Sequence, residues 1–168
     1  MRAGLAVLRV VVGVLFMGHG LQKLKGWFGG HGVEATGQAF ESMGLYPGKR
    51  HATAAGVNET LGGALLALGA LTPVGALLIT STMAVAVDKV HGSKGPWVTE
   101  GGYEYNLVLM AVAFAAAAEG PGSASVDEAL GIELSGPVVA LGQLALGLGG
   151  AYAVSRKGVG SDEAPAAA

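Results

Sequence analysis

Glu59 stands in the run GVNETLGGALLALGALTP, residues 56–73, directly ahead of a stretch without charge from Leu61 to Leu71. That stretch holds only eleven residues, whereas a membrane span needs about 20 to cross roughly 30 Å of hydrocarbon. A spanning helix must therefore reach back to about Ala52, which brings Asn58 and Glu59 into the apolar slab or to its edge. An acid at that depth needs a partner or a polar interior, because facing lipid is costly. Other ionisable groups gather at the ends of apolar segments. His19, Gln22 and Lys23 close the first; Asp88 and His91, three apart and so expected on one helical face, close the third. Glu104, flanked by Tyr103 and Tyr105, opens the fourth. If successive segments run antiparallel, all of these arrive at one end of a bundle at similar depth. Carboxylates and imidazoles tuned by burial suit acid–base chemistry. The candidate catalytic residues are His19, Glu59, His91 and Glu104, and the candidate ligand-binding residues are Gln22, Lys23, Asn58, Asp88, Tyr103 and Tyr105.

Each group also has a plainer reading. Asp88 and His91 suit the wet end of a helix, and Lys23 is foremost an expected interface anchor whose long stem lets the charge snorkel. Arg9 is expected to snorkel in the same way, the alternative being that it neutralises a buried acid. His19 could serve only to donate to a carbonyl. Glu59 resists such readings. It shares its stripe with Gly56, Gly62 and Gly63, small residues that let helices approach closely, so it should point into the bundle.

The elements that must position these groups follow from composition. The chain has 168 residues, 51% hydrophobic and 13% charged, with a mean hydropathy of +0.52. Soluble domains carry about 25% charged residues, and here the deficit is concentrated in long blocks. Five apolar segments emerge, at about 5–24, 52–71, 74–90, 103–118 and 137–154. Together they form one membrane domain over residues 1–155, followed by a polar tail over 156–168 that is expected to be disordered. The first segment has no small-residue cleavage site and is expected to be a retained helix rather than a signal peptide. The expected fold is all-α, a polytopic membrane four-helix bundle with a fifth C-terminal transmembrane helix.

Two connections carry pattern of their own. Val33, Thr36, Phe40 and Met43 recur at helical spacing within 26–51, which predicts a short interfacial helix. Ser125-x-x-Glu128 fits a capping box that opens a short surface helix. With five spans, one side holds eight basic residues and the other only Arg2 and Arg9. The positive-inside rule then sets the N-terminus outside and the C-terminus in the cytoplasm of a plasma membrane. A net charge of −2 excludes a strong pull on nucleic acid. The lack of cysteine removes disulfides, thiolate zinc sites and iron–sulfur clusters, and no flavin fingerprint or metal motif is visible.

Three runs, LRVVVGVLFMGHGLQKLKGWFGGHG, GVNETLGGALLALGALTP and GGYEYNLVLMAVAFAAAAEGPGSASVDEALG, resemble the DoxX family in order and content. The resemblance covers about residues 5–131 and implies a four-helix membrane bundle; the fifth segment and the tail lie outside it. Namesake members are small subunits of a thiosulfate:quinone oxidoreductase, and others are linked to oxidative-stress complexes at the membrane. The resemblance thus implies a redox-associated membrane subunit with a quinone as its ligand. On that reading His19 or His91 would donate to the ring oxygens, Glu59 and Glu104 would relay protons, and Tyr103 or Tyr105 would pack the ring. The expected partners are the lipid bilayer, a redox partner subunit and further copies of the chain. A haem held by His19 and His91 has only two histidines in its favour. The competing reading is a non-catalytic scaffold that docks an enzyme through residues 26–51. A small-solute transporter fits less well, because no internal repeat is visible.

Overall fold

The computed structural model describes residues 3–157, and every regular element among them is helical. The elements are α1 (Ala3–Lys25), α2 (Gly32–Ser42), α3 (Gly48–Leu68), α4 (Thr72–Ala86), α5 (Glu104–Glu119), the short α6 (Val126–Ala129) and α7 (Pro137–Lys157). α4 continues through a π-helical turn at Val87–His91 into a 3-10 turn at Gly92–Lys94. Of the polar tail expected over 156–168, Arg156 and Lys157 belong to α7, and residues 158–168 lie outside the described part.

α1 and α3 are joined along a glycine seam. Gly13 of α1 meets Gly63 and Ala67 of α3, while Gly20 meets Gly56 and Thr60, so the two helices run antiparallel. The seam glycines are seven apart on each helix, two turns, and a methyl group at any of them would strike the facing helix. Backbones can come this close only where side chains are absent. α3 starts at Gly48 rather than near Ala52 and stops at Leu68. Gly69 takes the left-handed conformation (φ 61°). The Ala70 N–H donates to Leu65 O at 2.9 Å and Gly69 N–H to Leu66 O at 3.1 Å. This pair of bonds is a Schellman ending, and Pro73 in the first turn of α4 completes the hairpin.

α4 packs against α3 and α5, and α7 lies against α4 and α5. Phe16, Leu66, Ile79, Leu109 and Ala113 meet in the core. By length and composition, three stretches among the described residues can cross a membrane: Ala3–Lys25, Thr72–Lys94 and Pro137–Arg156. α3, with its internal His51, Asn58 and Glu59, and α5, with 16 residues, fall outside that measure. Both are packed alongside helices that meet it.

The end of the bundle away from the acid–histidine cluster is locked by Arg9. The expectation that Arg9 snorkels outward is overturned, for the residue is 2% exposed. Its guanidinium donates to the carbonyls of Ala67 (2.6 Å), Pro121 (3.0 Å), Leu66 (3.5 Å) and Ala124. It thereby covers the Ala67 carbonyl at the end of α3, adds to the Gly69 N–H on Leu66 O and pins the chain that follows α5. Beside it, buried Asp127 accepts from the N–H groups of Leu71 (2.7 Å) and Thr72 (3.1 Å) and from the Thr72 hydroxyl (2.9 Å). Ser125 caps α6 by accepting from the Glu128 N–H at 3.2 Å.

Candidate functional site

At the other end, α1, α3, α4 and α5 enclose a cavity of about 420 Å³. Its centre of charge is an ion pair, Lys23 Nζ to Glu59 Oε2 at 2.6 Å. The Glu59 side chain is 5% exposed and that of Lys23 24%. Lys23 is therefore not the expected interface anchor: it lies about one turn beyond His19 on the inward face of α1, and its ammonium turns to the acid. Helical spacing explains the convergence. On α3, Ala52, Gly56, Glu59, Gly62, Gly63 and Leu66 form the buried face, and the glycine seam brings α1 close enough for Lys23 to reach across.

Three histidines line the same cavity, each with one ring nitrogen already committed. His19 Nδ1 meets Gln22 Oε1 at 3.0 Å, and Gln22 Nε2 in turn donates to Phe28 O at 3.1 Å. Since Gln22 offers an oxygen, Nδ1 carries the hydrogen. His91 Nδ1 donates to Gly101 O at 2.7 Å, and His51 Nε2 donates to Tyr46 O at 3.2 Å. An imidazole that donates through one nitrogen presents the other as an acceptor when neutral and as a donor when protonated. The cavity is thus bordered by three rings of fixed orientation, each with a second nitrogen for a ligand. Asn58 and Tyr105 also line it, as does Asn106, whose Nδ2 lies 3.4 Å from Met83 Sδ. Ser81, Thr82 and Lys89 add polar atoms on the α4 side, and most of the remaining wall is apolar: Val12, Leu15 and Phe16 of α1, Leu109 of α5, and Phe40 and Met43 from α2 and the turn after it. The predicted short helix exists as α2; it packs on α3, and its Phe40 together with Met43 helps to close the cavity.

Not every predicted residue arrives. Gln22 stands behind His19 and does not line the cavity. Asp88 does not share a face with His91, because the π turn closes i→i+5 bonds and spreads the two around the axis. His91 goes to the cavity, whereas Asp88 is half-exposed on the α7 side, 3.4 Å from Lys89 Nζ. Glu104 opens α5 at a position that lies off the cavity wall, and Tyr103 is the residue preceding the helix. Asn106 carries the inward face of α5 together with Leu109 and Ala113, and Glu104, two residues earlier, is turned by about 200° at 3.6 residues per turn. His51 and Asn106 were missed by sequence reading. His51 was within reach of it, being seven and eight residues ahead of Asn58 and Glu59 on one helical stripe. For Asn106 the signal was hidden beside the more conspicuous Glu104 and its two tyrosines.

The DoxX family profile matches residues 4–92, the stretch that contributes His19, Lys23, His51, Asn58, Glu59 and His91. A protein of Bacillus subtilis (strain 168) named "Putative oxidoreductase CatD" is 32% identical over 109 residues, 65% of this chain and 75% of that protein. No solved structure matches. The family is one of helical membrane proteins, in keeping with an all-helical fold, three stretches able to span a bilayer and an ion pair buried between two of its helices. The chain belongs to the DoxX family.

Proposed function

We propose that this chain is a plasma-membrane subunit of a redox complex whose cavity holds a quinone ring. The reading rests on one observation: three oriented imidazoles and a Lys–Glu pair border a single, largely apolar cavity. Its volume of about 420 Å³ lies within the roughly 300–1,000 Å³ of small-molecule sites. The donor set suits the ligand. A quinone is flat and apolar on both faces, with two carbonyls that only accept hydrogen bonds. Phe16, Met43 and Leu109 provide apolar surface for the faces, and Lys23, Asn58 and the protonated imidazoles provide donors. A bound quinone supplies a two-electron, two-proton acceptor.

The chain's own part is to hold the ring and deliver protons. His19 and His91 donate through the nitrogen not tied to Gln22 or to Gly101 O. Glu59, paired with Lys23, would exchange protons with His19 across the cavity wall. Glu104 and Tyr103 have no part in this, as neither lines the cavity. Without cysteine, electrons come from the substrate itself or from a partner subunit; thiosulfate is the donor for the family's namesake members. The word oxidoreductase in the name of the Bacillus relative supports the redox reading. The basic residues at the cavity end favour a cytoplasmic location for it.

A second reading, a non-catalytic scaffold, draws on the exposed rings of Trp27, Phe28 and Trp97, which could seat a partner enzyme. One experiment separates the two. The full chain, purified in mild detergent, is extracted for quinone and titrated with added quinone. Bound quinone that is lost in Glu59→Gln and in His19→Ala, with helicity unchanged, supports the quinone site. A wild-type protein that neither carries nor binds quinone, yet retains a partner chain, leaves the scaffold reading standing.

A further inference from the structure

Along α1 the cavity wall grades from apolar to polar: Val12, Leu15 and Phe16, then His19, then Lys23. The cavity opens beside the loop before α5, where Val98 is 53% exposed, and also along the gap between α1 and α5, from Tyr105 in the first turn of α5 down to Leu15. Leu15 and Tyr105 line the cavity, and each is 52% exposed, so they form its rim on α1 and α5. Leu15 stands ten residues before the end of α1 at Lys25, about 15 Å along the axis at 1.5 Å per residue. That is mid-depth for a hydrocarbon slab of roughly 30 Å, well away from the headgroups. The two helices leave room there because of how they are held. α1 packs along α3 and touches α5 far less. α1 and α5 are drawn together at the far end, where Arg9 Nε reaches Pro121 O just past α5 and where Leu5, Phe114 and Ala118 flank the core. Toward His19 and Tyr105 no such tie joins them.

We infer that the space between α1 and α5 is a lateral slot open to the acyl chains, and that the ligand is a tailed lipid. Its head lies among His19, Lys23 and Glu59, and its hydrocarbon tail leaves between Leu15 and Tyr105 into the bilayer. The inference rests on the quinone reading only for the chemistry of the head. The apolar grading along α1 and the half-exposed Leu15 at mid-depth are what call for a tail. A water-soluble ligand would gain nothing from an opening at the depth of Leu15.

The test joins the rim. In the full chain, which has no native cysteine, Leu15→Cys and Val108→Cys are bridged by a cleavable bismaleimide. Val108 is an exposed residue of α5 near the rim that does not line the cavity. Binding is measured for dimethoxy-methyl-benzoquinone and for the same ring with a decyl tail. The bridge should weaken the tailed ligand at least ~10-fold, about 1.4 kcal/mol, leave the bare ring within about 2-fold, and release its effect on cleavage. Tailed binding unchanged by the bridge overturns the slot. Equal loss of both ligands, restored on cleavage, makes the slot a general mouth and overturns the tail. A second arm needs no quinone: Phe16→Trp in a Trp27→Phe/Trp97→Phe background, placed in vesicles of brominated-chain phospholipid. Quenching of that buried indole by the acyl chains, suppressed by the bridge, supports the slot even if neither quinone binds and the quinone reading falls. An indole quenched by aqueous iodide and not by the brominated chains overturns it.

Discussion

Glu59 and Lys23 differ in how they meet the bilayer. The acid is closed off, while the amine keeps about a quarter of its surface and has a flexible stem. Removing one partner of a fully buried pair costs about 3–5 kcal/mol, because the other charge is stranded. Lys23 can swing toward water, so Glu59→Gln should cost less than that full range, roughly 1–3 kcal/mol by the same reasoning. Lys23→Met leaves Glu59 with no such escape and should be the more damaging single change. Unfolding in detergent micelles, followed by far-ultraviolet circular dichroism, ranks the two, and the reverse order would show that Lys23 is not held by the acid. This pair also marks how far single residues could be read from sequence. An acid eleven residues into α3, on a glycine stripe, has few places to go, so Glu59 was legible. Lys23 stood among the ligand-binding candidates, but its pairing with Glu59 was not legible, because chain position gives no sign that the glycine seam brings α3 within its reach. Asp88 and Glu104 failed for another reason: depth along a helix can be counted, but rotation about its axis depends on where the helix starts and on any turn that departs from 3.6 residues.

Among the elements, the hairpin of α3 and α4 and the chain from Gly120 to Ala129 depend on Arg9 and Asp127. Arg9 serves four carbonyls from three directions, and Asp127 gathers the three donors at the start of α4. A planar fork of five N–H groups can satisfy such a set, whereas the compact ammonium of lysine cannot. Arg9→Lys should therefore destabilise the protein almost as much as Arg9→Met. The loss should be at least about 3 kcal/mol, since hydrogen bonds from a charged donor are worth roughly 1.5–3 kcal/mol each. Asp127→Asn keeps one acceptor oxygen and should fall between wild type and Asp127→Ala. Thermal unfolding of the four variants decides the point; Arg9→Lys matching wild type would mean that the carbonyls need only a positive charge nearby. The helices themselves were legible from apolar length and from Gly–Pro punctuation. The π turn was not, because nothing in VDKVH announces an i→i+5 closure, and it is that turn which parts His91 from Asp88. The inward course of Arg9 was equally hidden, since its partners are backbone carbonyls that carry no residue signature.

At the level of the whole molecule, the antiparallel course of α1, α3, α4 and α5 places every side chain of the cavity's polar end on the side rich in lysine and arginine. That arrangement could be anticipated by alternating segments, because short connections leave neighbouring helices few alternatives. The lateral opening could not, as it depends on how closely α1 approaches α5 along their length. Orientation in the membrane follows from the same alternation and gives a prediction that involves no cavity residue. Thr99 lies in a second 3-10 turn, Val98–Glu100, just before α5 at the cavity end, and Ser123 lies beyond α5, beside the Arg9 lock. The 16 residues of α5 rise about 24 Å between them at 1.5 Å per residue, enough to separate two aqueous faces if the bilayer thins slightly around a short helix. In intact cells, a membrane-impermeant maleimide should label Ser123→Cys and leave Thr99→Cys unlabelled until the membrane is opened, because the basic end belongs in the cytoplasm. Labelling of Thr99→Cys alone would invert the molecule and carry the Lys–Glu pair to the outer face. Labelling of both from outside would mean that α5 does not separate the two faces, and the bundle drawn from α1, α3, α4 and α5 would then need a different relation to the bilayer.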